Sequence, residues 1–148
     1  MNTTLTQANG KELILKMEIK FFMPMQPPTV TQQEHKVTVR NGKPVFYDTD
    51  ELKEAKAKLA AHLAKHIPEQ PFTTGVQLVV KWCFPIRGKH YDGEYKTTKP
   101  DTDNLQKALK DIMTKLGYWR DDALVVSEIV EKFWAEHPGI WICIRETQ

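Results

Sequence analysis

The sequence is short of several things, and each shortage removes a class of protein. Cysteine occurs twice, at Cys83 and Cys143, each inside an apolar segment and neither with a second Cys or a His at metal-ligand spacing. The pair reads as two buried free thiols in a reducing compartment, which excludes a disulfide framework. Charge of one sign is also lacking: 21 basic residues against 19 acidic leave a formal net charge of +2. A polycationic tail is therefore not the whole function, although a local basic face remains open. Apolar runs such as Leu13-Ile14-Leu15 and Leu78-Val79-Val80 fall far short of the about 20 residues that a membrane span needs. Met1 to Gly10 is polar and lacks the basic-then-apolar layout of a signal peptide. No repeat and no low-complexity tract occurs. The expectation is one cytoplasmic domain over the 148 residues, with no membrane partner and with residues 1–10 as a flexible polar tail.

What is present reads as an α+β domain. Leu13 to Phe22 alternates enough to predict a first strand, ended by the prolines of Met23-Pro24-Met25-Gln26-Pro27-Pro28. Lys36 to Arg40 and Pro44 to Tyr47 flank Asn41-Gly42, a strong hairpin signal. Asp48, with Glu51 three residues on, predicts a helix N-cap. That helix runs to about His66, buries Leu52, Ala55, Leu59 and Leu63, and is closed by Pro68. Val76 to Phe84 is β-branched and apolar and predicts a central strand. A second amphipathic helix carries Leu105, Ala108, Leu109, Ile112, Met113 and Leu116 at helical spacing, with Gly117 as its stop. Ala123 to Trp134 and Ile140 to Arg145 predict two last strands, giving two helices on a mixed sheet.

Between the strand at Phe84 and the second helix lies a basic loop. Arg87, Lys89, Lys96 and Lys99 are interleaved with Tyr91 and Tyr95, which suits phosphate contacts but equally a solvated charged face. Lys36 and Arg40, with His35 and Lys43, form a second basic stretch with the same two readings. His62 and His66 stand at helical spacing and are expected to face solvent rather than bind a metal. Trp82, Trp119, Trp134 and Trp141 read as core.

The acidic residues are more informative. Asp101 and Asp103 stand two apart at a helix start, and Asp121-Asp122 follow after one helix and a tight turn. Hard cations such as Mg²⁺ need clustered carboxylate oxygens, commonly drawn from separate segments. The helix between the pairs is about 20 Å long, so only the fold can bring them together. A structural reading competes: Asp101 as N-cap, Asp103 as a first-turn residue, Asp121 and Asp122 as turn residues. A calcium loop fits poorly, because Gln106 stands where its Gly would be. Lys107, four residues after Asp103, shares its helix face, about 6 Å along the axis. It serves either as an ordinary surface ion-pair partner or as a cation stabilising charge on a phosphate oxygen.

The run Lys99-Pro100-Asp101-Thr102-Asp103-Asn104-Leu105-Gln106-Lys107, then Asp111, Gly117-Tyr118-Trp119 and Asp121-Asp122-Ala123-Leu124-Val125-Val126, resembles the RusA family of Holliday-junction resolvases. The resemblance is specific over residues 99–126; the Pro27-Pro28 turn and the basic stretch after it also resemble the family. It implies a homodimeric α+β endonuclease that cuts four-way DNA junctions symmetrically with Mg²⁺ or Mn²⁺. By position it assigns metal ligation to Asp101, Asp103 and Asp122 and an essential cation to Lys107. DNA contact is expected of Arg87, Lys89, Lys96 and Lys99, and of Lys36 and Arg40. Asp121 matches an acidic position without an assigned role, and Pro100 departs from members that carry a basic residue there, which leaves Lys99 as the nearest substitute. A junction-binding module without cleavage, or a metal-dependent transferase on a small nucleotide, are the competing functions.

Overall fold

The expected polar tail is replaced over Asn2–Ala8 by a strand, β1, antiparallel to β2 (Glu12–Pro24). β-branched Thr3, Thr4 and Thr6 favour that conformation, and the pairing covers what would otherwise be the open edge of β2. The structure, a computed structural model, describes the backbone of residues 2–8, 12–30 and 35–147 and the side chains of 16–30 and 37–147. The expected Lys36 contact, like that of His35, has its side chain outside the described residues.

The remaining elements are β3 (His35–Arg40), β4 (Lys43–Asp48), α1 (Asp50–Leu63), β5 (Val76–Pro85), α2 (Thr102–Leu116), β6 (Val125–Ala135) and β7 (Gly139–Glu146). The main sheet has the order β1-β2-β7-β5-β6. It is mixed: β5 and β6 are parallel, and the other neighbours are antiparallel. A parallel pair needs a long crossover, and here α2 makes it. Along β2, β7 and β5 alternate side chains face the core, with Ile19 and Met23, Ile140, Ile142 and Ile144, Leu78, Val80, Trp82 and Phe84 buried and Phe21 partly so. They pack with Leu59 and Leu63 of α1 and Leu105, Leu109 and Met113 of α2, so both helices cover the same sheet face.

Thr49, not Asp48, caps α1, its hydroxyl accepting from Leu52 N at 3.2 Å. Asp48 instead takes the Lys56 ammonium at 2.7 Å. The α-helix ends at Leu63 and one 3-10 turn carries the chain to His66, because Pro68 cannot extend it. His66 does not face solvent freely; its ring stacks on Phe21 at 4.3 Å. Trp141 is only half-buried and lies under the Lys81 ammonium, 5.1 Å from the ring centre, whereas the other three tryptophans are core.

β3 and β4 form a separate two-stranded ribbon around Asn41-Gly42, both at positive φ (51° and 74°) as a tight hairpin turn requires. Its register pairs Val37 with Phe46 and Val39 with Pro44. Opposed residues share a face, so one side of the ribbon is apolar and the other carries Thr38, Arg40, Lys43, Val45 and Tyr47. On the apolar side Val37, Val39 and Phe46 are 55%, 69% and 66% exposed.

Candidate active site

The position of the second acidic pair is set by two aromatics. Gly117 closes α2 at φ 88°, a left-handed conformation suited to glycine. Tyr118 and Trp119 then enter the core. The Tyr118 hydroxyl donates to Leu63 O at 2.6 Å, and Trp119 Nε1 donates to Thr114 Oγ1 at 2.7 Å. Burial pushes the Tyr118 hydroxyl far above the ordinary tyrosine range, so it stays a donor. Phe72 N donates to Tyr118 O at 2.9 Å, tying the turn to the segment before β5. The chain therefore leaves this turn in a fixed direction. Asp121 Oδ1 accepts from Ala123 N at 2.8 Å and caps a 3-10 turn, Asp122–Leu124. Asp121 is thus committed to the backbone, and Asp122 is not.

One cleft of about 460 Å³ runs between α2 and β6, lined by Asp103, Lys107, Lys110, Asp111, Asp122 and Glu128 among others. Its walls follow from the β5-α2-β6 crossover, which lays the helix against the strand it feeds. Three of the expected site residues, Asp103, Lys107 and Asp122, line it together. None of these three has a hydrogen-bond or ion-pair partner among the described residues, so Asp103 and Lys107 form no surface ion pair. The neighbouring Lys110, Gln106 and Glu128 are engaged. Lys110 Nζ meets Glu128 Oε1 at 3.0 Å, and Gln106 Nε2 donates to Glu128 Oε2 at 2.6 Å. Neither Gln106 nor Glu128 is among the site residues expected from the sequence. Glu128 enters only because the parallel register puts β6 beside α2, a relation that no local spacing encodes.

Asp101 does not line this cleft. It occupies the N-cap of α2 but makes no capping bond with its side chain. Its Oδ2 takes the exposed Lys99 ammonium at 2.9 Å instead. The three expected metal ligands therefore divide, with Asp103 and Asp122 in the cleft and Asp101 outside its lining. Among the described residues no group of three or more His, Cys, Asp or Glu converges as a metal site. In kind the cleft donors fit a hard divalent cation, being carboxylate oxygens with no thiolate or imidazole.

The basic loop also divides. Arg87, Lys89 and Lys99 are exposed, as is Arg40 on the ribbon. Lys96 is not a surface cation. It is 8% exposed, and its ammonium lies 5.0 Å from the ring centres of both Phe84 and Trp134. It donates to Thr98 Oγ1 at 2.7 Å, to Thr98 O at 3.3 Å and to Lys99 O. Burial, and then Lys132, hold its pKa below the ordinary lysine value. A lysine with its donors spent on Thr98 and Lys99 has none left for a phosphate. The loop sequence concealed this, because the rings that box the cation are Phe84 of β5 and Trp134 of β6, not the interleaved Tyr91 and Tyr95, which are exposed.

Comparison with known proteins gives the family. The family model described as Endodeoxyribonuclease RusA matches residues 24–145. The chain belongs to the RusA endodeoxyribonuclease family. It is 36% identical over 114 residues to the crossover junction endodeoxyribonuclease rusA of Lactococcus phage r1t, covering 76% of this chain and 84% of that protein. It is 34% identical over 139 residues to the uncharacterized protein YqaN of Bacillus subtilis (strain 168), covering 86% of this chain and 96% of that one. The RusA match contains α2, the Tyr118-Trp119 turn and β6, hence the whole cleft; β1 precedes it. No described helix is long and apolar enough to cross a membrane.

Proposed function

We propose that this RusA-family chain is an endodeoxyribonuclease that resolves four-way DNA junctions, acting as a homodimer with Mg²⁺ or Mn²⁺. The observation that carries the reading is the α2–β6 cleft, where two carboxylates and one lysine stand without internal partners. Charged side chains left unpaired in a cleft are arranged for something that enters it. Phosphodiester hydrolysis joins a water oxygen to phosphorus and releases one ester oxygen as an alcohol, with negative charge building on the phosphoryl group. Lys107 meets that charge. Asp103 and Asp122, with Asp101 at the helix start, are the residues assigned to hold the divalent cation. When bound, it supplies an activated water and neutralises charge on the scissile phosphate.

Arg87, Lys89, Lys99 and Arg40 are exposed cations suited to the backbone phosphates. The apolar side of the ribbon supports a second copy of the chain. An isolated two-stranded ribbon is marginal in water, and an apolar face set on its two-fold mate covers both while leaving both basic faces outward. Two such sites suit a two-fold symmetric junction and paired cuts.

The test is incubation with a synthetic four-way junction and a linear duplex control, in Mg²⁺ and in EDTA. Paired nicks in the junction with Mg²⁺ and none in EDTA are expected, the duplex staying intact. Junction binding in EDTA with no product in Mg²⁺ would establish a binding module instead.

A further inference from the structure

We infer that Lys132 of β6 is a positioning residue that fixes the Asp101 backbone against the wall of the cleft. The inference rests on the nuclease reading above and concerns how Asp101 is delivered to it. Lys132 Nζ donates to Thr98 O and to Pro100 O, both at 2.7 Å. Lys96 Nζ takes Thr98 O from its own box, together with Thr98 Oγ1 and Lys99 O. Two ammonium groups thus hold three consecutive carbonyls, those of residues 98, 99 and 100, immediately before Asp101.

Neither lysine has a carboxylate within salt-bridge distance among the described residues. Placing two like charges side by side, partly desolvated, is unfavourable unless their donors are well used. Here they are used on three backbone carbonyls and the Thr98 hydroxyl. The next carbonyl, Asp101 O, accepts from Leu105 N at 3.1 Å as the first turn of α2. The Asp101 backbone is therefore held from both sides, by Lys132 through Pro100 and by the helix through its own carbonyl. Its carboxylate, spared from capping, is left to the side-chain torsions and takes the exposed Lys99 ammonium.

The strand that supplies Lys132 is also the cleft wall. Lys132 follows Glu128 and Val130 at alternate positions of β6, so all three point to the same side of the sheet, and Glu128 and Val130 line the cleft. Lys132 accordingly ties the entrance of α2, which carries Asp103 one turn from the clamp, to the wall that α2 faces. A loss of this tie lets the helix start shift relative to β6, and a displacement of about 1 Å at such a site can cost on the order of 10²-fold in rate.

The experiment compares the full-length protein with Lys132→Met, which keeps the stem, and Lys132→Arg, which keeps charge and donors. Single-turnover junction cleavage, junction affinity in EDTA and amide hydrogen exchange over residues 97–104 are measured on each. For Lys132→Met, affinity should stay within about twofold while cleavage falls on the order of 10²-fold and exchange over 97–104 quickens. Lys132→Arg should restore most of the rate. Unchanged exchange, full-rate cleavage, or affinity and rate lost in equal proportion would overturn the inference; the last would make Lys132 a phosphate contact. If the unmodified protein cut no junction, the nuclease reading would fail, and exchange alone would still decide whether Lys132 holds the segment. Should Lys132→Met fail to fold, Lys132→Arg with slow cleavage and undiminished affinity supports positioning, and Lys132→Arg with rate and affinity reduced equally opposes it.

Discussion

Trp82 Nε1 donates to Gln106 Oε1 at 2.7 Å, joining the centre of β5 to a buried amide of α2. Gln106 is 4% exposed, and its other end donates to Glu128, so one amide links the core to the cleft wall. Gln106→Leu keeps much of the volume and removes both bonds. The Trp82 indole N–H is then buried without an acceptor, and stability should fall by about 1–3 kcal/mol. Denaturant unfolding measures this; an unchanged midpoint would show that the pair contributes nothing net.

The two members of the second acidic pair should behave oppositely to substitution. Asp122→Asn touches a carboxylate with no partner among the described residues, so melting should change little while junction cleavage falls by orders of magnitude. Asp121→Ala removes the cap bond to Ala123 N and should lower stability by about 0.5–2 kcal/mol, with cleavage surviving in the folded fraction. Asp103→Asn should follow Asp122→Asn, since a first-turn Asp contributes only about 0.3–1 kcal/mol through the helix dipole. Full-rate cleavage by Asp103→Asn would remove it from the site.

Salt dependence separates the surface cations from the buried one. Neutralising Arg87 and Lys89 together should reduce the slope of log affinity against log salt by about two units, roughly 0.9 per phosphate contact. Lys96→Gln should leave the slope alone and lower the melting temperature, because it empties the box between Phe84 and Trp134. A slope unchanged by the double variant would return the loop to a solvated face.

His66 gives stability a pH dependence. Burial against the sheet, then Lys65 and His62, hold its imidazole below the ordinary histidine pKa. The unfolded chain therefore takes up the proton first as pH falls through about 6.5, and stability is lost from there down to the folded value. Above that window the contribution is complete. Melting of the unmodified protein, compared with His66→Phe, should drop more between pH 7.5 and pH 5; parallel curves would show that the stacked ring titrates normally.

Periodic and local signals were legible in the sequence. The 3.6-residue stripe of α2, the Asn41-Gly42 turn and the Gly117 stop all appear where their spacing or backbone demand puts them. So does the order of the elements from β2 onward. Less local facts were not. β1 carries its signal in threonines, which a polar composition hides. Asp48 and Thr49 are both good caps, and the choice fell to the residue whose neighbour could also reach Lys56. The cleft itself depends on the parallel β5/β6 register, which no window of sequence contains. Lys96 shows the limit most plainly, since the rings that box it, Phe84 and Trp134, come from two strands distant in sequence and leave no mark on the loop itself.

The ribbon of β3 and β4 offers a direct test of the homodimer. Each strand of the ribbon is six residues long, so its whole side is roughly 20 Å by 10 Å at about 3.4 Å per residue, at most about 200 Å² a copy. A standard interface buries about 800 Å² per partner. Ribbon against ribbon is therefore a weak contact, and dimerisation through it should depend strongly on concentration and be favoured by the junction. Val39 and Phe46 are exposed in the single chain, so Val39→Glu with Phe46→Glu should change its melting by no more than about 0.5 kcal/mol. In sedimentation the unmodified protein should shift from monomer to dimer with concentration, while the double variant stays monomeric through repulsion of like charges across the two-fold axis. On the junction the variant should yield single nicks in place of paired ones. A double variant that still dimerises at the same concentration would place the interface elsewhere on the molecule.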